Sequence, residues 1–243
     1  MRRPPRLRSP ELMDQEEVDA AELARSLTDL ERVNRWLGGS RVALEALAPL
    51  LRRTDGGEIR VLDVGTGGGD IPMALVKRAQ KAGVALRVVA TDAHPRTLEA
   101  ARRRVAGHPS ITVEEANALS LPYPDGSFHF AMCHTALHHF DPPEAVRALA
   151  ELGRVATAAV VVTDLVRSWV GLAAARVMAV TIWRRHPVTR HDGPASVRGA
   201  YTVAEIRALA REAGLGPPYV RSYFFYNRMS LVARPRDESG AGR

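Results

Sequence analysis

The sequence is poor in cysteine, since Cys133 is the only one among 243 residues. A single thiol excludes an intramolecular disulfide and any zinc site built on several cysteines. Cys133 lies in an apolar stretch that is predicted to be a buried strand, so we interpret it as a packing residue. Stability then depends on an apolar core, and 46% apolar residues are enough for one of substantial size.

Lysine is also scarce, because Lys77 and Lys81 are the only two among 34 basic residues. The net charge of +7 by itself favours a nucleic-acid partner. The arginines are scattered along the chain, however, and they are grouped only at 2–8 and 102–104. We therefore expect no nucleic-acid partner, and a nucleic-acid-modifying or regulatory protein remains an alternative.

A long apolar run is missing as well. Residues 1–14 contain prolines and arginines without the apolar stretch of a secretory signal. The most apolar long segment, 166–183, contains Arg167 and Arg176 and is short for a transmembrane span. We interpret this segment as a helix that faces an apolar cavity, and we interpret the polar stretch 184–198 after it as a loop. We expect a cytoplasmic protein.

The most informative stretch of the sequence is a strand, a glycine-rich turn and a helix. The apolar run 59–64 predicts a buried parallel strand. Gly65, Gly67, Gly68 and Gly69 follow, and a helical pattern then extends to Gly83. Glycines permit a tight turn against a ligand, and the helix N-terminus offers unpaired N–H groups. This arrangement is typical of a nucleotide-binding α/β unit.

The pattern Asp-x-Gly-x-Gly-x-Gly at 63–69 resembles motif I of the class I S-adenosylmethionine (AdoMet)-dependent methyltransferases. The resemblance implies AdoMet as cofactor and an α/β fold: a Rossmann-like, seven-stranded, mostly parallel sheet with one antiparallel strand. A carboxylate at the strand end suits a cationic amino-acid ligand better than a pyrophosphate. The resemblance assigns cofactor binding to Asp63, Gly65, Thr66, Gly67 and Asp70.

The second strand, predicted at 85–91, ends at Asp92 and Ala93. An acid at this place in the unit accepts hydrogen bonds from ribose hydroxyls, although Asp92 could instead cap the helix that starts at Pro95. Further along, Asn117-Ala118 stands where the family has Asp-Ala, whose acid accepts from the adenine amino group. An amide oxygen can accept the same bond without charge.

The fourth strand, predicted at 128–134, ends at His134 and is followed by Leu-His-His-Phe. This run resembles a large subfamily of small-molecule methyltransferases that includes the quinone-type C-methyltransferases. Ligands bind beyond the carboxyl ends of the strands in such sheets, and the resemblance places His134 beside the cofactor. Oxygen methylation needs a base, for which we rank His139 first, His138 second and His191 third.

The chain divides into four predicted parts. Residues 1–14 and 236–243 are expected to be disordered, residues 15–53 to form a helical lid, and residues 54–235 to form the AdoMet-binding core with a helical substrate insertion at about 166–199. In the lid, Arg35 is the candidate partner of the AdoMet carboxylate, and Arg41 is its competitor. No acids show ligand spacing, so we predict no metal.

These residues predict an AdoMet-dependent enzyme that methylates a hydroxyl of a small lipophilic or aromatic acceptor, such as a phenol or polyketide-like compound. The apolar segment 166–183 and the aromatic cluster 223–226 favour a flat or lipophilic acceptor. A C-methyltransferase acting on a quinone-like ring needs the same fold and remains an alternative. The sequence leaves open whether the protein is a monomer or a homodimer.

Overall fold

The computed structural model describes residues 3–15, 17–51 and 57–235. Seven strands form one sheet in the order β3-β2-β1-β4-β5-β7-β6. All neighbours are parallel except β7, which runs antiparallel to both β5 and β6, so the predicted fold class is confirmed. The strands are β1 (Ile59–Val64), β2 (Leu86–Asp92), β3 (Ile111–Glu115), β4 (Phe128–His134), β5 (Ala156–Leu165), β6 (Tyr219–Tyr223) and β7 (Arg228–Ala233).

Helices cover both faces of this sheet. They are α1 (Ala20–Trp36), α2 (Gly39–Leu51), α3 (Asp70–Lys81), α4 (Pro95–Val105), α5 (Pro142–Val155), α6 (Trp169–Val180), α7 (Pro187–Gly199) and α8 (Val203–Glu212). Helices α2, α3 and α4 pack on one face, and α5 and α8 pack on the other. Because helices cover both faces of the sheet, the side chains on both sides of the central strands are buried, which explains why these strands are almost continuously apolar.

The strand order reverses direction between β1 and β4, since the chain adds β2 and β3 on one side and β5 on the other. The loops after these two strands therefore diverge and leave a crevice at the carboxyl edge of the sheet. Asp63 lies near the end of β1 and His134 is the last residue of β4. The predicted site residues of both strands are thus brought to one edge.

The two N-terminal helices have different positions, which corrects the prediction that residues 15–53 form a lid. Helix α2 belongs to the core, because Ala43 and Leu47 pack with α3 against the sheet. Only α1 lies over the crevice. The joint at Gly38 has a φ of 78°, and a Cβ there would lie 2.5 Å from the ring of Tyr226. A side chain at this position would therefore clash as well as strain the backbone.

The N-terminal segment 3–14 is ordered, contrary to the predicted disorder of residues 1–14. Arg6 donates to the carbonyl oxygens of Gly199 at 2.8 Å and Phe140 at 2.7 Å. The guanidinium of Arg6 also stacks over the ring of Tyr201 at 4.3 Å. These contacts join residues more than 130 positions apart in the sequence, so no local sequence pattern predicts them. Residues 1, 2 and 236–243 lie outside the described residues.

The segment after β5 contains two helices where the sequence predicts one helix and a polar loop. Helix α6 begins at Trp169 because the Ser168 hydroxyl accepts from the Gly171 N–H at 2.9 Å. The predicted loop at 184–198 is largely helix α7, although this helix contains Pro194. Within the described ranges, no helix combines the length and hydropathy that crossing a bilayer requires.

Helix α7 is bound to the N-terminal part of the chain. Asp29 of α1 accepts a hydrogen bond from the Thr189 hydroxyl at 2.9 Å and also pairs with His186. Asp192 accepts from the backbone N–H of Leu12 at 2.8 Å and from that of Met13. Helix α7 and the N-terminal part of the chain therefore meet above the carboxyl edge of the sheet.

Candidate active site

The turn after β1 wraps its backbone around the start of α3. Gly65, Gly67 and Gly69 all have φ between 55° and 76°, a backbone conformation that residues with a Cβ rarely adopt. The Thr66 N–H donates to the Thr91 carbonyl oxygen at 2.8 Å. This bond ties the turn to the end of β2 and brings Asp92 beside it.

Asp92 accepts hydrogen bonds through both carboxylate oxygens. One oxygen accepts from the Gly67 N–H at 3.0 Å and the other from the His94 N–H at 3.1 Å. The N-cap residue of α4 is His94, so the Asp92 side chain does not cap that helix in the predicted manner. Burial raises the pKa of Asp92, and each oxygen keeps acceptor capacity for a further donor.

Asp63 lies beneath the glycine turn with 1% of its surface exposed. Neither of its carboxylate oxygens has a hydrogen-bond partner among the described residues, and the same holds for the Thr66 hydroxyl. Burial raises the pKa of Asp63 to about 7. A buried carboxylate without a donor is costly, so a ligand cation would relieve this arrangement.

A cavity of about 270 Å³ lies above these carboxylates. Most of the residues predicted from the sequence line it, whereas Arg35 and His191 do not. The predicted residues that line it are Asp63, Gly65, Thr66, Gly67, Asp70, Asp92, Ala93, Asn117, Ala118, His134, His138 and His139. Arg35 is exposed and stacks over Trp36 at 5.3 Å, and His191 pairs with Asp192 at 2.8 Å.

Asn34 organises one end of this cavity. Its amide nitrogen donates to Asp70 at 3.0 Å, and its oxygen lies 3.2 Å from His134 Nε2. The other ring nitrogen of His134 lies 2.5 Å from the Thr163 hydroxyl. Burial and the Arg228 charge lower the pKa of His134 to about 3, so this histidine is neutral.

Asn117 already uses its amide oxygen within the protein. This oxygen accepts from the Leu119 N–H at 2.9 Å and closes a short turn. The predicted contact to an adenine amino group therefore depends on the second lone pair of the same oxygen.

His138 is held between two carboxylates. Its Nδ1 lies 2.8 Å from Asp164, and its Nε2 lies 3.4 Å from Glu11. Burial lowers the pKa of His138, but the two carboxylates outweigh this effect and raise it to about 10. A histidine that carries its proton at neutral pH cannot accept another, so His138 does not fit the role of a base.

His139 is the histidine that keeps access to the cavity, with 29% of its side chain exposed. Its Nδ1 lies 3.0 Å from Asp14, and its Nε2 lies 3.8 Å from Glu11. Burial and the neighbouring His138 lower the pKa of His139, whereas Glu11 and Asp14 raise it, and the net direction is upward. Only the neutral form of His139 can accept a proton, so the raised pKa moves any base activity of this histidine to higher pH.

Sequence reasoning missed the acids on the N-terminal side of this site. Glu11 and Asp14 lie in the segment predicted to be disordered, and their positions depend on contacts with α7 and with the loop after β4. The ligand atoms of Glu11, His138 and His139 lie within 4.8 Å of one another, a grouping that a metal ion could share. The absence of a metal stays a prediction.

A second cavity of about 240 Å³ adjoins the first. It lies between α1, α6, α7 and the turn at 224–226, and its lining is largely apolar. Apolar lining residues include Leu30, Val33, Met178, Trp183, Val197 and Phe225. The two cavities share Glu11, Met13, Leu30, Thr135 and Ser196. Glu11 therefore stands where a cofactor cavity would meet an acceptor cavity, whereas Asp14 and His139 line the first cavity and not the second.

Residues 61–159 match the family model described as "Methyltransferase domain". The chain contains a class I AdoMet-dependent methyltransferase domain. A demethylmenaquinone methyltransferase from Deinococcus radiodurans is 40% identical over 116 residues, which are 47% of this chain and 43% of that protein. The chain thus spans less than half the length of the curated relative it matches.

Solved structures share the fold of this methyltransferase domain at low identity. An O-methyltransferase family protein from Burkholderia thailandensis has a TM-score of 0.67 and 19% identity, covering 94% of this chain and 65% of that one. A SAM-dependent methyltransferase from Aquifex aeolicus has a TM-score of 0.61 and 21% identity, covering 90% of this chain and 100% of that one.

AdoMet is the cofactor of such a methyltransferase domain, and the residues present fit it. Asp63 offers an unsatisfied carboxylate to a ligand ammonium group. Asp92 stands at the end of β2 with acceptor capacity for hydroxyl donors. At Gly65 a Cβ would lie 2.7 Å from that of Ala136, so a larger residue would narrow the cavity at the turn.

Proposed function

We propose that the protein transfers the methyl group of AdoMet to a hydroxyl of a small lipophilic or aromatic acceptor, such as a phenol or polyketide-like compound. One observation carries this proposal: a carboxylate-lined cavity adjoins an apolar cavity, with Glu11 in the wall of both and His139 beside it in the wall of the first. The polar cavity suits the cofactor, and the apolar one suits the body of the acceptor.

In this proposal the cofactor is held by the residues of the first cavity. Asp63 binds the ammonium group, Asp92 binds the ribose hydroxyls, and Asn117 binds the adenine amino group. AdoMet supplies a methyl group on a sulfonium, which is already activated for displacement. The main tasks of the protein are then to position the acceptor and to exclude water.

His139 is the proposed base. Its Nδ1 faces Asp14, which leaves Nε2 to accept the acceptor's hydroxyl proton. Glu11 lies near that nitrogen and would stabilise the imidazolium that forms. The apolar walls of the second cavity hold the acceptor ring or chain while the oxygen loses its proton.

A carbon methyltransferase acting on a quinone-like ring is the second candidate. The observation that favours it is the similarity to a demethylmenaquinone methyltransferase, at 40% identity over 116 residues. The same two cavities suit such an acceptor, because its ring is flat and apolar. The two candidates differ in which acceptor atom gains the methyl group.

The test is AdoMet-dependent turnover against matched phenols, hydroxyquinones and lipophilic alcohols, read by mass spectrometry. We expect a mass gain of one methylene unit on phenolic acceptors, with fragmentation that places the methyl on oxygen. Methylation of a ring carbon would replace the O-methyl proposal by the second candidate. An absence of turnover with every acceptor, in a protein that binds AdoMet, would contradict both.

A further inference from the structure

Arg228 is a fully buried cation at the functional edge of the sheet. It is the first residue of β7, and only 1% of its surface is exposed. Because β7 runs antiparallel to β5, its start lies where the parallel strands end. In the register of the sheet, Arg228 lies opposite Leu165, the last residue of β5, and opposite Tyr223 of β6.

The hydrogen bonds of Arg228 go to neutral groups. Nη1 donates to the Thr135 hydroxyl at 2.9 Å, and Nη2 donates to the Asn34 oxygen at 3.3 Å. Nε has no partner among the described residues. Asp164 and Asp70 act on it through charge alone, since Asp164 is bound to His138 and Asp70 to Asn34.

Arg167 shows what a satisfied buried arginine looks like in the same protein. It is 6% exposed, yet it donates to the carbonyl oxygens of Pro4 and Ala200 and forms an ion pair with Glu205 at 2.6 Å. By contrast, no described carboxylate forms an ion pair with Arg228, and Asp164 and Asp70 act on it only from a distance. Burying a guanidinium without a counter-charge in direct contact is unfavourable, so an anion bound at this site would stabilise it.

The position of Arg228 indicates where that anion lies. Arg228 lines the second cavity, and its partners Asn34 and Thr135 line the first. Asp63, the unsatisfied buried carboxylate, lines the first cavity as well. The described part of the chain thus presents an unsatisfied anion and an unsatisfied cation in two adjoining cavities that share Thr135, which is a pattern suited to a zwitterion.

We propose that Arg228 is the binding residue for a ligand oxyanion at the junction of the two cavities. This inference rests on the proposed function, because it takes the ligands to be AdoMet and its acceptor. The oxyanion has two sources: the carboxylate of the AdoMet amino-acid end, or an ionised group on the acceptor. In the first case Arg228 has the role that the sequence assigned to Arg35.

Calorimetric binding to the full chain separates these sources. The probes are AdoMet and decarboxylated AdoMet, which keeps the ammonium group and lacks the carboxylate. If the oxyanion is the carboxylate of AdoMet, Arg228→Gln should weaken AdoMet binding about 10- to 100-fold. It should change the binding of decarboxylated AdoMet less than about threefold, and Arg228→Lys should restore part of the AdoMet affinity.

If the oxyanion belongs to the acceptor, the substitution should affect the kinetics and not the binding of AdoMet. AdoMet affinity should stay unchanged in Arg228→Gln, while the KM of an ionised acceptor rises at least about tenfold and that of a neutral analogue does not. Unchanged AdoMet affinity together with unchanged acceptor KM, in a folded Arg228→Gln protein, would overturn the proposal.

Two measurements protect this test against a variant that fails to fold. The wild-type protein should itself bind AdoMet at least about tenfold more tightly than decarboxylated AdoMet if the cofactor carboxylate is the oxyanion. Arg167→Gln is the matched control, since it removes another buried arginine, one that has protein partners. It should lower the melting temperature and leave the ratio of the two affinities unchanged. Turnover of the wild-type protein tests the proposed function separately.

Discussion

At the scale of single residues, Asp63 makes the stability of the protein depend on pH. Burial raises the pKa of this carboxyl to about 7, above the ordinary value of about 3.9. The folded protein therefore holds the Asp63 proton more tightly than the unfolded chain does. The stability that this group contributes is present at low pH and is lost as the pH rises from about 4 through about 7.

Asp63→Asn should therefore raise the free energy of unfolding at pH 8, by up to about 4 kcal/mol, and should have little effect near pH 4. The same variant should bind AdoMet more weakly, because it lacks the charge that attracts the ammonium group. Chemical denaturation at both pH values and calorimetry measure the two effects. Glu115→Gln, at an exposed position, is the control that should change neither.

The three histidines proposed as bases are now distinguishable by their surroundings. His139→Ala should lower turnover about a hundred- to ten-thousand-fold with AdoMet affinity retained. His191→Ala should behave like the wild type, since His191 does not line the cofactor cavity. Steady-state kinetics of both variants test this distinction. Equal turnover of His139→Ala and wild type would show that His139 is not the base.

His138→Ala should act on stability. It would leave Asp164 and Glu11 buried without the cation between them, which typically costs about 3–5 kcal/mol. A denaturation curve of the cofactor-free protein measures this loss. A His138→Ala protein of unchanged stability would show that the charge cluster contributes nothing to folding.

At the scale of secondary-structure elements, the two N-terminal helices have separate roles. Leu47 of α2 is completely buried against the sheet, whereas Leu30 of α1 is half-buried and lines both cavities. Leu47→Ala should lower the free energy of unfolding by about 2–5 kcal/mol. Leu30→Ala should cost less stability and should raise the KM of the acceptor.

Denaturation and steady-state kinetics on this pair of leucine variants test the distinction. A truncation near residue 54 cannot do so, because it removes α2 and exposes a face of the core. If Leu30→Ala left the KM unchanged, α1 would only cover the site and would not shape it.

At the scale of the whole molecule, ligand binding and folding are coupled. AdoMet at a hundred times its Kd should raise the free energy of unfolding by about 2.7 kcal/mol. For a chain of this size that corresponds to a rise in melting temperature of about 5–11 °C. A thermal melt with and without AdoMet measures it, and an unchanged melting temperature at saturating AdoMet would contradict cofactor binding.

The central sheet and the floor of the cofactor cavity could be predicted because their signals are local. The glycine turn at 65–69 and the acid at the end of β2 lie within a short stretch whose spacing carries the information. The walls could not be predicted in this way. Glu11 and Asp14 are positioned by partners far along the chain, and Arg228 looks in sequence like an ordinary hairpin residue.

Besides the predictions for residues 1–14 and 15–53, two more differ from the structure for identifiable physical reasons. Arg35 has the right chemistry for a carboxylate, but it lies on the exposed side of α1 beside Trp36. The polar composition of 184–198 indicated a loop, yet one face of α7 packs against α6 and against the N-terminal part of the chain. Tertiary contacts outweigh the local preferences of Gly193 and Pro194 there.

The contact between α7 and the N-terminal part of the chain has a consequence for hybrid enzymes. The wall of the second cavity is assembled from segments far apart in the sequence, and Asp29, Thr189 and Asp192 hold α7 to the N-terminal part of the chain. Exchanging 166–199 alone with a relative would pair a foreign helix with a native one. Hybrids that inherit residues 3–36 and 166–199 from the same parent should keep that parent's acceptor preference. A recombination library should therefore recover these two segments together more often than either alone.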